Sequence, residues 1–339
     1  MHRRTRRTLM VVAAVLVLLG VAVFLRSKAP PEAARLLPES DGILYINFRP
    51  VRAFLHKDMK PPQRVPDYQQ FVDATGIDWE RDLDQAAIAL HRMANPSGPN
   101  GPVAYSLVLV GKVDGNRLKA WLAAHAASED TYAGRTIYDI PSEGRTVRVA
   151  QIGYDMVAIS NAPTPEQIHS IIDRRRTAAL PFAGSTLLAH HYHEIPLLAL
   201  AWGVGQIGLP FSESGAIQIF GFKLPLEDGT TLIASVSPML RLNGELRLRV
   251  EEIAPGQQTA INQAASLNLL LNMAKGFTAP LGPNPANDAL KQLLATTEVV
   301  QKNDRVVVTA RLHSADLAAI AAGENATEQV TPSGENASK

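Results

Sequence analysis

Hydrophobic positions fall into three regimes along the chain. From Leu9 to Leu25 they are continuous, seventeen residues without a charge. At 1.5 Å rise per residue a helix of that length covers about 25 Å, close to a hydrocarbon core. From about residue 41 to 322 strand-like alternation and helix-like spacing take turns. From Gly323 to Lys339 the chain is polar and poor in hydrophobic residues, which predicts a disordered tail.

Within the middle regime, GILYINF (Gly42 to Phe48) reads as the first strand, and Val51 to Lys57 and Pro66 to Thr75 read as short helices, the second closed by Gly76. Ala86 to His91 and Val103 to Gly111 are strands joined by a Gly/Pro loop. Asp114 is placed to cap a helix that sets Leu118, Trp121, Leu122 and His125 on one side. Strands are expected at Thr131 to Asp139, Arg145 to Ile152 and Met156 to Ser160. Thr164-Pro165-Glu166-Gln167 then reads as a capping box, with Thr164 as the cap and Pro165 at the first helical position, on a helix that runs to Arg176.

The second half predicts a short helix capped by Ser185 and ending at His193, then an apolar strand from Pro196 to Trp202. Further strands are expected at Ala216 to Phe222, Thr231 to Ser237 and Gly244 to Glu251. Helices follow at Gln257 to Lys275 and Asn287 to Thr296, then a hairpin from Glu298 to Leu312 and a last helix at Ala315 to Ala322. The fold class is α+β, with mixed or antiparallel sheets and packed helices behind one N-terminal transmembrane helix. Similar element order in the two halves suggests a duplicated α+β unit. The expected organisation is a basic N-terminus (1–8), a signal anchor (9–25), a spacer (26–40), a first unit (41–180), a second unit (181–322) and the tail (323–339).

Charge changes this picture at one end only. Arg3, Arg4, Arg6 and Arg7 precede the apolar run, against Arg26 and Lys28 after it. That asymmetry holds the N-terminus in the cytoplasm and sends the remainder across the membrane. An uncleaved anchor is the leading reading; a twin-arginine signal around Arg6-Arg7 and an ordinary cleaved signal are the alternatives. Elsewhere 33 basic residues balance 32 acidic ones, with no basic surplus for nucleic acid. The absence of cysteine excludes disulfides, thiolate metal sites and cysteine nucleophiles.

Candidate chemistry is sparse. His190, His191 and His193 lie together beside Glu194, and imidazole is the commonest ligand for a divalent metal; the competing reading is a polar helix end. Gly203-Val204-Gly205-Gln206-Ile207-Gly208 spells a dinucleotide fingerprint, but Pro210 interrupts the helix it would need to open. Asp78, Glu80, Asp82 and Asp84 alternate without the spacing of a calcium loop. Arg174, Arg175 and Arg176 form a charged last helical turn or a contact for anionic headgroups or phosphates. Ile195 to Phe211 is uncharged and reads as core, with an apolar ligand pocket or partner patch as the alternatives. No G-x-S-x-G or S-x-x-K motif follows the anchor.

Leu37-Pro38 before the first strand, Thr75-Gly76-Ile77-Asp78 with Arg81-Asp82-Leu83-Asp84, and Tyr132-Ala133-Gly134-Arg135-Thr136-Ile137-Tyr138 resemble uncharacterised exported bacterial proteins of the acidobacterial type, known as domains of unknown function. The resemblance implies a membrane-anchored envelope protein and carries no catalytic residues. The expected localisation is the bacterial inner membrane, single-pass, with the C-terminal part in the periplasm. The first functional reading is a non-enzymatic binding module for an envelope protein or lipid, without nucleic acid. The second is a metal-binding protein or metal-dependent hydrolase built on His190, His191 and His193, with a divalent metal as its cofactor. The third is a carrier of an apolar ligand or lipid.

Overall fold

The computed structural model describes residues 29–55, 66–98, 101–178, 184–206, 216–219, 222–225, 230–239, 244–278, 280, 282, 284–313 and 316. The expected anchor Leu9–Leu25, the last expected helix beyond residue 316 and the expected tail lie outside them. Among the described residues no helix is long and apolar enough to cross a membrane.

The chain opens with α1 (Glu32–Arg35), β1 (Gly42–Asn47), α2 (Phe48–Leu55), α3 (Pro66–Thr75), α4 (Trp79–Asp82), β2 (Leu83–Arg92) and β3 (Val103–Gly111). Next come α5 (Gly115–His125), β4 (Ser128–Tyr132), β5 (Arg135–Ser142), β6 (Arg145–Gln151), β7 (Met156–Ser160) and α6 (Glu166–Arg176). The second half holds α7 (Thr186–His191), a 3-10 turn (Tyr192–Glu194), β8 (Ala201–Gln206), β9 (Ala216–Ile219), β10 (Phe222–Pro225), β11 (Thr231–Pro238) and β12 (Glu245–Ile253). It closes with α8 (Gln257–Thr278), α9 (Pro285–Ala295), β13 (Glu298–Lys302) and β14 (Arg305–His313).

Twelve strands make one antiparallel sheet in the order β13-β14-β12-β11-β8-β1-β2-β3-β7-β6-β5-β4, and β9 and β10 form a separate hairpin. The α+β class with antiparallel pairing therefore stands, and the two halves share this sheet. β1 and β8 meet at its middle with Leu44 opposite Gly203. Outward from that pair the order repeats. One half runs β1-β2-β3 and the other β8-β11-β12, with the β9–β10 hairpin set aside, and in each the last strand of the half, β7 or β14, lies against the third of these.

Alternation along the strands divides the core between two faces. Ile43, Tyr45, Val108, Ala150, Ala158, Trp202, Val204 and Ile233 share one cluster with Ala33, Leu37, Leu188 and the α6 residues Ile168, Ile171 and Ile172. This is the α6 face. Each fully buried isoleucine there contributes about 2 kcal/mol of transfer free energy. Tyr138, Val149 and Val157 point the other way, against Leu118 and Leu122 of α5 and Ile77 after α3. Register carries Ile233 to Glu251 and on to Val307, so Val306 faces away from them. Val306 packs on Ala260 and Ala264 of α8, which puts α8 on the same side as α5.

Several expectations need correction. Thr164 does not cap α6: Pro165 holds the cap position without a side-chain cap bond, and the helix opens at Glu166. The strand expected at Thr131 to Asp139 is two strands, β4 and β5, reversed at Ala133 and Gly134 with φ of 50° and 76°. Alternation continues through a two-residue turn of this kind, so period alone does not reveal it. Ala216 to Phe222 likewise contains the end of β9 and the start of β10. The strand expected from Pro196 begins only at Ala201, because Ala199 N–H bonds to the Pro196 carbonyl at 3.0 Å and turns the chain first.

Candidate functional site

Ser185 accepts a hydrogen bond from Leu188 N–H and starts α7, as its position before an apolar turn predicts. The helix delivers His190 and His191, and the 3-10 turn delivers His193 and Glu194. The three imidazoles do not converge. His190 Nδ1 donates to the Thr186 carbonyl at 2.8 Å, and its ring centre lies 6.5 Å from that of His191. His191 Nδ1 and His193 Nε2 stand 3.5 and 3.8 Å from the same Glu194 oxygen. A zinc-type site needs three or four donors about 2 Å from one point. Among the described residues no cluster of three or more His, Asp or Glu side chains meets that need.

What the turn builds is an ion network. The Arg305 guanidinium bonds Glu194 Oε2 at 2.5 Å and Glu251 Oε1 at 2.7 Å, and Arg249 bonds Glu251 Oε2 at 2.5 Å. Burial presses the Glu251 pKa upward, but the bonds and charges of Arg249 and Arg305 outweigh it and hold the carboxyl below its ordinary range. The two carboxylates raise the pKa of Arg305 in turn. The network fastens the 3-10 turn to the α6 face of β12 and β14. Its partners come from strands about 55 and 110 residues downstream, so sequence spacing gives no sign of it.

A serine–histidine chain also forms that spacing does not reveal. His91 Nε2 lies 3.0 Å from Ser106 Oγ, which lies 3.1 Å from Ser160 Oγ. The contact has the reach of a nucleophile and its base. Burial decides against that role, because His91, Ser106 and Ser160 are 8%, 0% and 1% exposed. Burial also lowers the His91 pKa, against the opposing pull of Asp41 and the Glu39 backbone. A neutral histidine fits this place: it satisfies core hydroxyls and takes no charge.

The remaining motifs resolve into structure. Gly203 and Gly205 lie within β8 at the sheet centre, and no helix opens on them. Asp78 caps α4, Asp82 binds Arg81, and Asp84 is held at 2.6 Å by both Arg49 and Arg52. Those arginine bonds outweigh burial and lower the pKa values of Asp82 and Asp84. Within Ile195 to Gln206, Ile195, Leu200, Trp202 and Val204 enter the core, while Leu197 and Leu198 are 61% and 54% exposed.

The most unusual exposed feature is α8. Lys275 is the only charged residue in its twenty-two. Ala260 and Ala264 face the sheet and are almost fully buried, letting the helix approach closely. The opposite side carries Ile261, Leu269, Met273 and Phe277, exposed by 42%, 62%, 39% and 63%. With Ala265 they form an unbroken i, i+4 row, about 24 Å long. Two polar neighbours bond to the helix's own backbone: Ser266 Oγ donates to the Asn262 carbonyl at 3.0 Å and Asn268 Nδ2 to the Ala264 carbonyl at 2.9 Å, while Asn262, Asn268 and Asn272 stay exposed.

No protein-family model and no curated protein matches the chain. Among solved structures it is similar to TP0453. Crystal form III aligns at a TM-score of 0.45 and 10% identity, covering 87% of this chain and 99% of that one. Form IV aligns at 0.43 and 10%, covering 85% and 96%, and form I at 0.40 and 9%, covering 87% and 98%. At these scores the likeness assigns neither family nor function.

Proposed function

We propose that this protein is a membrane-anchored interaction module of the bacterial envelope. Leu9–Leu25 holds it in the inner membrane, and α8 is offered to a partner protein on the extracytoplasmic side. The observation that carries the binding reading is α8, with Lys275 its one charge, and its outward row of Ile261, Leu269 and Met273. An apolar row on a helix fits a groove or a second helix of matching spacing, with the exposed side chains as anchors. The repeated strand order about β1 and β8 supports reading the two halves as a diverged duplication, with α8 and α9 elaborating the position that α5 holds in the first half.

The test separates location from binding. Reporters fused after residue 339 in the full chain should be active only outside the cytoplasm; activity inside contradicts the proposed topology. Full-length protein carrying Leu269→Asp and Met273→Asp should keep its melting temperature. It should also lose at least tenfold in the recovery of a stoichiometric partner from crosslinked cells, equivalent to about 1.4 kcal/mol. Undiminished recovery removes α8 as the docking surface.

A further inference from the structure

We propose that the C-terminal turn of α6 forms a site for the phosphate of an anionic phospholipid headgroup. A cleft of about 380 Å³ opens between this turn and the β5 and β6–β7 segments. Its floor is Ile152 and Ile172, and its rim carries Arg135, Arg175, Arg176 and Tyr154. Arg175 is paired with Glu32. Arg176 reaches Asp173 only at 3.6 Å, and that carboxylate already accepts a bond of 2.8 Å from the Tyr132 hydroxyl. Arg135 has no carboxylate partner among the described residues. Of the three guanidiniums only that of Arg175 is closely paired, so N–H donors of Arg135 and Arg176 remain for the oxygens of a phosphodiester.

Two further features favour a lipid over a small soluble ion. The apolar floor offers contact to glycerol and methylene groups, and the Tyr154 ring at the mouth is 84% exposed, a side chain suited to the headgroup level of a bilayer. Location supports the same source. Arg174 pairs with Glu39 at 2.9 Å, so α6 is bonded at two points to the segment that follows the apolar run. Glu32 lies only seven residues beyond Leu25, a reach of at most about 25 Å. This placement rests on the proposed anchor; the cation cluster and its cleft do not. The cleft and the α8 row lie on opposite faces of the sheet, leaving α8 free while the arginines meet the membrane.

The experiment is native mass spectrometry of the full chain in detergent with equal phosphatidylglycerol and phosphatidylcholine. Retention of phosphatidylglycerol at least fivefold above phosphatidylcholine is expected. Arg135→Gln with Arg176→Gln should abolish that preference, while Arg117→Gln on α5 leaves it intact. Inorganic phosphate at the same concentration should not displace the lipid. Displacement would reassign the site to a soluble phosphate compound and overturn the headgroup assignment. Equal retention of the two lipids, or a preference surviving the double substitution at unchanged melting temperature, overturns the site itself. Alkaline extraction of cell membranes reads the anchor separately: release from the membrane with lipid preference intact would remove the anchor and keep the site.

Discussion

Gly111 lies directly against the carbonyl of Asp82: a Cβ on Gly111 would stand 2.3 Å from that oxygen and 3.0 Å from Leu83 Cα. The β2–β3 register shifts between Leu83 and Gln85 at this point, and Lys112 N–H bonds the same Asp82 carbonyl at 2.9 Å. Glycine is required because backbone meets backbone at the irregularity. Gly203 is the contrast, since its added Cβ would meet Leu44 Cδ2 at 2.6 Å, the end of a side chain that can rotate. Gly111→Ala is expected to cost about 3 kcal/mol and Gly203→Ala about 1 kcal/mol or less. Denaturant unfolding of the full chain checks the order, and equal costs would contradict it.

The Arg305 network makes a second prediction. Glu251 is 4% exposed and depends on Arg249 and Arg305. Arg305→Met leaves Glu194 and Glu251 short of a partner. Because Arg305 is itself about one-third exposed, the expected loss at neutral pH is about 2 kcal/mol, below that of a fully buried pair. The Glu251 pKa is lowered in the folded state, so its stabilisation is present above the unfolded value of 4.5 and is lost as pH falls through the folded value. Stability curves from pH 7 to pH 3 should therefore be shallower for Arg305→Met on the acid side. A variant with wild-type stability and slope would show that the network contributes nothing.

His91 acts at a higher pH. Its folded pKa is lowered by burial, so below about 6.5 the unfolded chain takes up a proton that the folded chain refuses. Stability should decline as pH drops from 6.5 toward 5, before the carboxylates titrate. His91→Gln, which keeps a polar group near Ser106 but cannot be protonated, should flatten the curve over that interval. Melting temperatures at half-unit pH steps decide; an unchanged slope in the variant would mean that His91 is protonated in the folded protein.

Ala133 sits at φ 50° beside Gly134 at 76°, the left-handed pair of a two-residue hairpin turn. Alanine has no side chain to favour that conformation. Ala133→Asn should stabilise the chain by about 0.5 to 1 kcal/mol. A lower melting temperature would contradict the turn geometry.

The parts of this fold readable from sequence are those set by local chemistry. Asp114 caps α5 with bonds to Asn116 and Arg117 N–H, Ser185 caps α7, and Gly76 closes α3 at φ 73°, each where its residue type demands. Lys302-Asn303-Asp304-Arg305 turns the β13–β14 hairpin, with Asn303 at φ 55°. Ala133-Gly134 escaped because alanine is not a turn signal, and the strand at Ala201 began late because apolar Leu197 and Leu198 resemble strand residues although they face solvent. Order within the sheet was not legible at all, since the antiparallel meeting of β1 with β8 joins residues about 160 apart.

The candidate site follows the same rule. The histidine cluster was visible because its residues are adjacent in sequence, but a metal site depends on where the rings point, and His190 is turned onto its own helix. The Arg305 network and the His91–Ser106–Ser160 chain were hidden because pairing across a sheet assembles them. The α8 row could have been found: an i, i+4 run of Ile261, Ala265, Leu269, Met273 and Phe277 on a helix whose one charge is Lys275 is readable, although which side faces out requires the packing of Ala260 and Ala264.

The central claim is that α8 meets a partner through its outward row. A photo-crosslinking residue placed at Leu269 or Met273 of the full chain, in its own cells, tests it most directly, with the exposed positions Lys119 and Glu129 as controls. The account predicts one discrete protein adduct from both α8 positions, none from the controls, and loss of the adduct when Ile261→Asp is added. Adducts that are only lipid, or equal at all four positions, would contradict it.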